Sequence, residues 1–166
     1  MIFVTVGSQM PFDRLIAAVD AWAMHHPEVQ VLAQIGKTQF APSNMRGVDA
    51  FKPSEFADVC KSAQLIIAHA GMGSILTALQ YGKPIVVMPR KGALRETRND
   101  HQVAAAKWLG TIDGVFFADD EMALPSAIDT ALARSLSPEP IAAQASASLL
   151  QGIQQFIERT TGTQIR

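Results

Sequence analysis

Leu65-Ile66-Ile67-Ala68-His69-Ala70-Gly71-Met72-Gly73-Ser74 is the stretch on which the reading of the fold turns. Leu65 to His69 is an almost unbroken apolar run, the pattern of a strand covered on both faces in a parallel sheet. Two glycines follow at once. Ser74 to Tyr81 then reads as a helix, and Gly82 supplies its left-handed stop. Gly71 and Gly73 allow backbone N–H groups to approach an anion closely, and the helix start adds the positive end of its dipole. In an α/β fold, a phosphorylated ligand is held where such a strand ends and such a helix begins.

The same alternation extends in both directions. Ile2 to Val6 is a first strand, and Pro11 opens a helix in which Phe12, Leu15, Ile16, Val19 and Trp22 recur at helical spacing. Val29 to Ile35 is a second strand closed by Gly36, and Val48 to Phe51 a short third. Pro53-Ser54-Glu55 starts a helix through Val59, with Ser54 in the N-cap position. Pro84 to Met88 is another covered strand, Asp100 to Leu109 a helix ending at Gly110, and Val115 to Ala118 a last strand. Glu121 to Ala133 and Pro138 to Arg159 read as two closing helices. The order implies an α/β fold: a Rossmann-like, doubly wound parallel sheet with its ligand beyond the carboxyl ends of the strands. Three loops are expected to converge there: Gly7-Ser8-Gln9, His69 to Ser74, and Pro89 to Asp100.

The bulk numbers set limits. A chain of 166 residues, 48% apolar and carrying a formal charge of −1, is expected to form one domain over residues 1–166. No polybasic run supports nucleic-acid binding. The single cysteine, Cys60, excludes an internal disulfide and reads as a small buried apolar side chain. The apolar N-terminus lacks the basic region of a signal peptide, and no run approaches the length of a membrane span. A cytoplasmic location is therefore expected, with membrane contact through a partner or a surface patch.

Several residues carry candidate chemistry. Gly7 and Ser8 directly follow a strand, so Ser8 can offer its hydroxyl and N–H to a phosphate; an ordinary turn is the plainer alternative. Neither the dinucleotide fingerprint nor the P-loop pattern occurs, and Ser8 is not in a nucleophile elbow. Gly71-Met72-Gly73-Ser74 is the stronger signal, with Ser74 placed both to cap its helix and to touch a phosphate oxygen. Asp100 complements a helix N-terminus, or Asp100 and Gln102 hydrogen-bond sugar hydroxyls. Arg90, Lys91, Arg95 and Arg98 form a basic loop suited to a diphosphate, an acidic acceptor or a lipid head group, or are a solvated charged loop. No pair of histidines or carboxylates has metal-ligand spacing.

Together these residues match a known pattern. Val4-Thr5-Val6-Gly7-Ser8, Pro11 to Ile16, Gln34-Ile35-Gly36, His69 to Ile75, Gly82-Lys83-Pro84 and Asp100-His101-Gln102 resemble the C-terminal, donor-binding domain of family 28 glycosyltransferases. The likeness is greatest to stand-alone versions of that domain: the catalytic subunit of the two-component UDP-GlcNAc transferase of dolichol-linked oligosaccharide synthesis, and the second subunits of bacterial capsule and exopolysaccharide transferases. It covers roughly residues 1–135.

The resemblance implies a single GT-B half that holds a UDP-sugar. Gly7, Ser8, Gly71, Met72, Gly73 and Ser74 would meet the diphosphate, and Thr77, Arg90, Asp100 and Gln102 the ribose or the donor sugar. Transfer would be inverting and would need neither metal nor cofactor, with helix N-termini stabilising the departing UDP. The acceptor would be polyprenyl-linked or a polysaccharide. Two departures stand out. Many relatives carry a ribose-binding glutamate where this chain has Thr77. This chain also begins at the donor domain, so a membrane-anchored acceptor subunit is the expected partner and source of the catalytic base, with His69 as another source. The competing reading is a non-catalytic nucleotide-sugar-binding or assembly subunit. An epimerase of related fold would need two domains in one chain.

Overall fold

A computed structural model of the chain describes residues 1–8, 10–97, 112–134, 138–141 and 151. Six strands form one parallel sheet: β1 (Ile2–Thr5), β2 (Val31–Gln34), β3 (Arg46–Val48), β4 (Leu65–His69), β5 (Ile85–Met88) and β6 (Val115–Phe117). Their spatial order is β3-β2-β1-β4-β5-β6, with every neighbouring pair parallel. The helices are α1 (Asp13–Met24), α2 (Pro53–Ser62), α3 (Met72–Gln80) and α4 (Leu124–Arg134), with a 3₁₀ turn at Gly92–Leu94. This is the Rossmann-like, doubly wound arrangement the alternation of elements implies.

Side chains along a strand point alternately to the two faces, so each central strand feeds two cores. Ile2 and Val4 of β1, Leu65 and Ile67 of β4, and Val86 and Met88 of β5 pack with Leu15, Ile16 and Val19 of α1 and Leu124 and Ile128 of α4. Phe3, Ile66, Ala68, Ile85 and Val87 face the other way, against Cys60 of α2 and Ile75, Ala78 and Leu79 of α3. Phe3 also meets Phe51 and Phe56 edge to face, with ring centroids 5.8 and 5.5 Å apart. Burial on both faces explains why β4 and β5 read as continuous apolar runs.

Several boundaries differ from the sequence reading. The third strand is Arg46–Val48, ahead of the expected Val48 to Phe51, because Phe51 packs on Phe3 from the loop. Helix α2 takes Lys52 as its N-cap and Pro53 as its first residue; Ser54 lies inside the helix, while Glu55 Oε2 accepts the Lys52 N–H at 3.1 Å. Helix α3 starts two residues early, at Met72, with Gly71 as its N-cap, so Ser74 is a first-turn residue and no side chain caps the helix. Residues 138–141 are not helical. The expected helix from Asp100 to Leu109, Gly110, and the remainder of the last helix apart from Gln151 lie outside the described residues.

Ile67 is fully buried at the centre of the sheet, in register with Val4 on one side and Val86 on the other. Ile67→Ala is expected to lower stability by about 2–5 kcal/mol. Urea denaturation checks this: the midpoint should fall while the m-value stays constant.

Candidate functional site

The strand order reverses direction between β1 and β4. The chain leaving β1 enters α1 on one face of the sheet, and the chain leaving β4 enters α3 on the other. A crevice therefore opens between their carboxyl ends, the place where doubly wound folds bind ligands. It holds a cleft of about 630 Å³.

The cleft draws on all three expected loops. Thr5, Val6, Gly7, Ser8 and Met10 line it from β1 and its loop, and His69, Gly73, Ser74 and Thr77 from β4 and α3. Arg90, Glu96 and Thr97 contribute from the loop after β5. Gln34, Phe51, Pro53 and Phe56 close one side; the sequence assigns none of them to the site, although Gln34 belongs to the Gln34-Ile35-Gly36 motif quoted above. Gln34 had a legible signal: it lies two residues before the glycine that ends its strand, as Thr5 does before Gly7, and the two stand in register.

Gly73 is the most open point of this wall, since a Cβ there would meet nothing within 4 Å. The N–H groups of Met72, Gly73 and Ser74 belong to the first turn of α3, where the helix supplies no acceptor. The Gly71 N–H instead turns back to the His69 carbonyl at 2.7 Å. Gly71 and Met72 do not themselves line the cleft, and the Met72 side chain is about half exposed. The Thr77 hydroxyl donates to the Gly73 carbonyl at 2.8 Å, closing a bond within its own helix. Asp100, Gln102 and Arg98 lie outside the described residues.

His69 stands between the two glycine loops. A Cβ on Gly71 would fall 2.3 Å from His69 Nε2, and one on Gly7 would fall 2.7 Å from His69 Cε1. Both positions are therefore glycine for room, and Gly7 also for its φ of +77°. His69 Nδ1 is buried with no hydrogen-bond partner among the described residues. Burial, helped by the nearby Arg90 cation, pushes the imidazole down to about 4, and the Thr5 backbone opposes this only in part. The ring is thus neutral at physiological pH. Below it, Thr5 Oγ1 accepts the Gly7 N–H at 3.1 Å and donates to Gln34 Oε1 at 3.0 Å, tying the ends of β1 and β2 together.

The two arginines behind the cleft have separate duties. Arg14 forms a fork with Glu96, Nε to Oε1 at 2.9 Å and Nη2 to Oε2 at 2.8 Å, and also reaches Glu121 at 2.7 Å. Glu96 and Glu121 together raise its pKa against the cost of burial. Arg90 points its terminal N–H groups at backbone carbonyls rather than into open cleft. Burial lowers its pKa and Glu96 partly restores it. Among the described residues, no group of three or more His, Cys, Asp or Glu side chains is placed to hold a metal ion. No described helix is long and apolar enough to cross a membrane.

The fold and its crevice define a Rossmann-like domain with a cleft at the switch point of a parallel sheet. Residues 1–160 match the model of the glycosyltransferase family 28 C-terminal domain, and the chain belongs to that family. It is similar to the UDP-N-acetylglucosamine transferase subunit ALG13 of Yarrowia lipolytica, 30% identical over 126 residues that make up 66% of this chain and 60% of that protein. The human subunit of the same name is 35% identical over 127 residues, 70% of this chain and 11% of that one. The chain thus spans less than two thirds of these relatives. Among solved structures, the solution structure of ALG13 superposes with a TM-score of 0.59 at 20% identity, over 84% of this chain and 89% of that one. Acinetobacter baumannii MurG gives 0.57 at 22% identity, over 81% of this chain and 42% of that one. These likenesses share the fold.

Two tests follow from the packing around His69. Gly71→Ala should destabilise the wild-type protein but cost at least about 1 kcal/mol less in a His69→Ala background, as a double-mutant cycle would measure. The unfolded imidazole takes its proton near 6.5 and the folded one only near 4, so its contribution is full above 6.5 and drains as the pH falls toward 4. Chemical denaturation from pH 7 to pH 4 should show wild type losing about 3 kcal/mol more than His69→Gln.

Proposed function

We propose that this chain is the donor-binding, catalytic subunit of a two-component inverting glycosyltransferase. The donor is a UDP-sugar of hexose type, UDP-N-acetylglucosamine or a relative. The observation that carries the reading is the cleft itself: loops from β1, β4 and β5 meet beside the open Gly73 and the first turn of α3, in a chain of family 28. The similar proteins named as UDP-N-acetylglucosamine transferase subunits support both the uridine donor and the need for a second subunit.

In this reading the first-turn N–H groups of α3, with Gly7 and Ser8 opposite, receive the diphosphate. Phe51, Pro53 and Phe56 offer the apolar side of the cleft to the nucleoside. Asp100 and Gln102 would meet the sugar hydroxyls. A hydroxyl oxygen of the acceptor attacks the anomeric carbon from the face opposite the nucleotide. The bond from that carbon to the β-phosphate oxygen breaks, and UDP leaves with the electron pair. The helix start and backbone donors stabilise the charge that develops on it, so that no metal or other cofactor is needed. The hydroxyl proton goes to a base on the partner. His69, with an imidazole pushed down to about 4, is a weak base at neutral pH.

The acceptor in this proposal is polyprenyl-linked or a growing polysaccharide. It is presented by a membrane-anchored subunit that recruits this chain from the cytoplasm to the inner face of a membrane. A second reading, a nucleotide-sugar-binding subunit without turnover, is favoured by one observation: the Thr77 hydroxyl, at a position where the family resemblance implies a ribose-binding glutamate, is bonded within its own helix to the Gly73 carbonyl. Turnover of a UDP-sugar by the chain with its partner would decide against it.

A thermal-shift panel of UDP, UDP-N-acetylglucosamine, UDP-glucose, UDP-glucuronate and GDP-mannose tests the donor site. Saturation to 100 times the dissociation constant stabilises by about 2.7 kcal/mol, a shift of several degrees in a domain of this size. Uridine compounds should stabilise and GDP-mannose should not. Gly73→Asp should remain folded, because a side chain there enters open space, yet lose the shift because its carboxylate meets the diphosphate. Retained binding in that variant would overturn the assignment.

A further inference from the structure

Arg90 follows β5 by two residues, and only 5% of it is exposed. Its Nη2 donates to the Val6 carbonyl at 2.7 Å and to the Met10 carbonyl at 2.8 Å. Its Nη1 donates to the Pro11 carbonyl at 2.7 Å and to the Glu96 carbonyl at 3.0 Å. The guanidinium also lies over the Phe12 ring, 4.7 Å from its centroid. Val6, Met10 and Pro11 bracket the segment that carries Gly7 and Ser8, so one side chain, 79 residues away from Pro11 in sequence, grips that segment at both ends.

A loop with no ladder of its own takes its shape from whatever satisfies its backbone groups. Here three inward-turned carbonyls share one planar cation, and only a guanidinium offers a rigid fork of donors at that spacing; an ammonium on a flexible stem does not. Glu96 leaves Arg90 to this task, because its carboxylate is taken by Arg14 and by the Lys91 N–H at 2.9 Å. The sequence reading had given Arg90 a place against the ribose or sugar. Its four terminal N–H bonds give it another occupation.

We propose that Arg90 is a positioning residue that shapes the Val6–Pro11 segment and thereby the anion-facing wall of the cleft, acting on the ligand through the loop. This rests on the nucleotide reading of the cleft given above.

Arg90→Lys keeps the charge and removes the fork. At a temperature where circular dichroism shows the variant fully folded, its UDP dissociation constant should rise at least tenfold by titration calorimetry. Amide exchange in residues 7–12 should accelerate at least tenfold, while exchange in β2 and α4 stays at wild-type rates. Wild-type affinity in the folded variant would overturn the proposal and leave Arg90 a stabiliser. Weakened affinity with unchanged exchange in residues 7–12 would overturn it in favour of direct contact with the ligand.

Failure of the wild-type chain to bind UDP would count against the proposed function. The exchange arm would then still judge the brace, with faster exchange supporting it and unchanged rates overturning it. Should Arg90→Lys not fold, the wild-type protein serves. Its Arg90 Nη hydrogens, held by carbonyls, should give separate, slowly exchanging NMR signals that barely move when UDP is added. Signals that exchange rapidly, or that shift strongly with UDP, would overturn the proposal.

Discussion

Neighbouring strands β1 and β4 send their chains to opposite faces of the sheet, and most of the molecule follows from that routing. Covalent continuity carries α1 one way and α3 the other, so neither helix fills the space above the two strand ends. Such a gap between polar strand termini cannot be closed by apolar side chains without stranding N–H and C=O groups. The chain instead furnishes it with small residues, Gly7, Ser8, Gly73 and Ser74, and sets one neutral ring, His69, at its floor. The cleft is a consequence of topology that the sequence has kept open.

Keeping it open requires that the surrounding loops be held from behind. Arg14, Glu96 and Arg90 do so by a division of labour in which each charged group has partners matched to it. The Arg14–Glu96 fork is largely buried, with side-chain exposures of 13% and 11%, so breaking either half would leave an uncompensated charge. On the far side of α1, Asp20 is almost fully buried and accepts the N–H groups of Ser43 and Asn44 at 3.0 and 2.7 Å. That carboxylate pins the β2–β3 connection to the same helix that Arg14 ties to the β5 loop. Helix α1 is therefore a common anchor for segments on both sides of the cleft.

Local chemistry made the strands and the crevice legible. Leu65–His69 matches its expected bounds because its apolar run is delimited locally, by Gln64 before it and by Gly71 soon after it. The family and the three cleft loops were also readable, since glycine after a strand and before a helix has a local physical cause. Helix starts were less so: Gly71 caps α3 without a side chain, and Lys52 caps α2, so neither carries the usual Ser, Thr, Asp or Asn signal. Glu96 was missed for a different reason. Its partner Arg14 lies 82 residues away, and no period or motif encodes a contact made only once the sheet has formed. The same holds for Arg90, whose residue type was noticed but whose partners are backbone atoms, which leave no trace in side-chain identity.

Cys60 ends up in a special position through no chemistry of its own. It lies 1% exposed between α2 and the sheet, and burial pushes its thiol up to about 11. It is also the only sulfhydryl in the chain. A thiol reagent therefore finds no target while α2 stays docked, and reacts only in molecules where that layer has lifted. The protein thus carries a built-in stopwatch: without any engineered label, the pace of its alkylation reports how often the helix layer beside the Phe51–Phe56 side of the cleft comes away from the sheet.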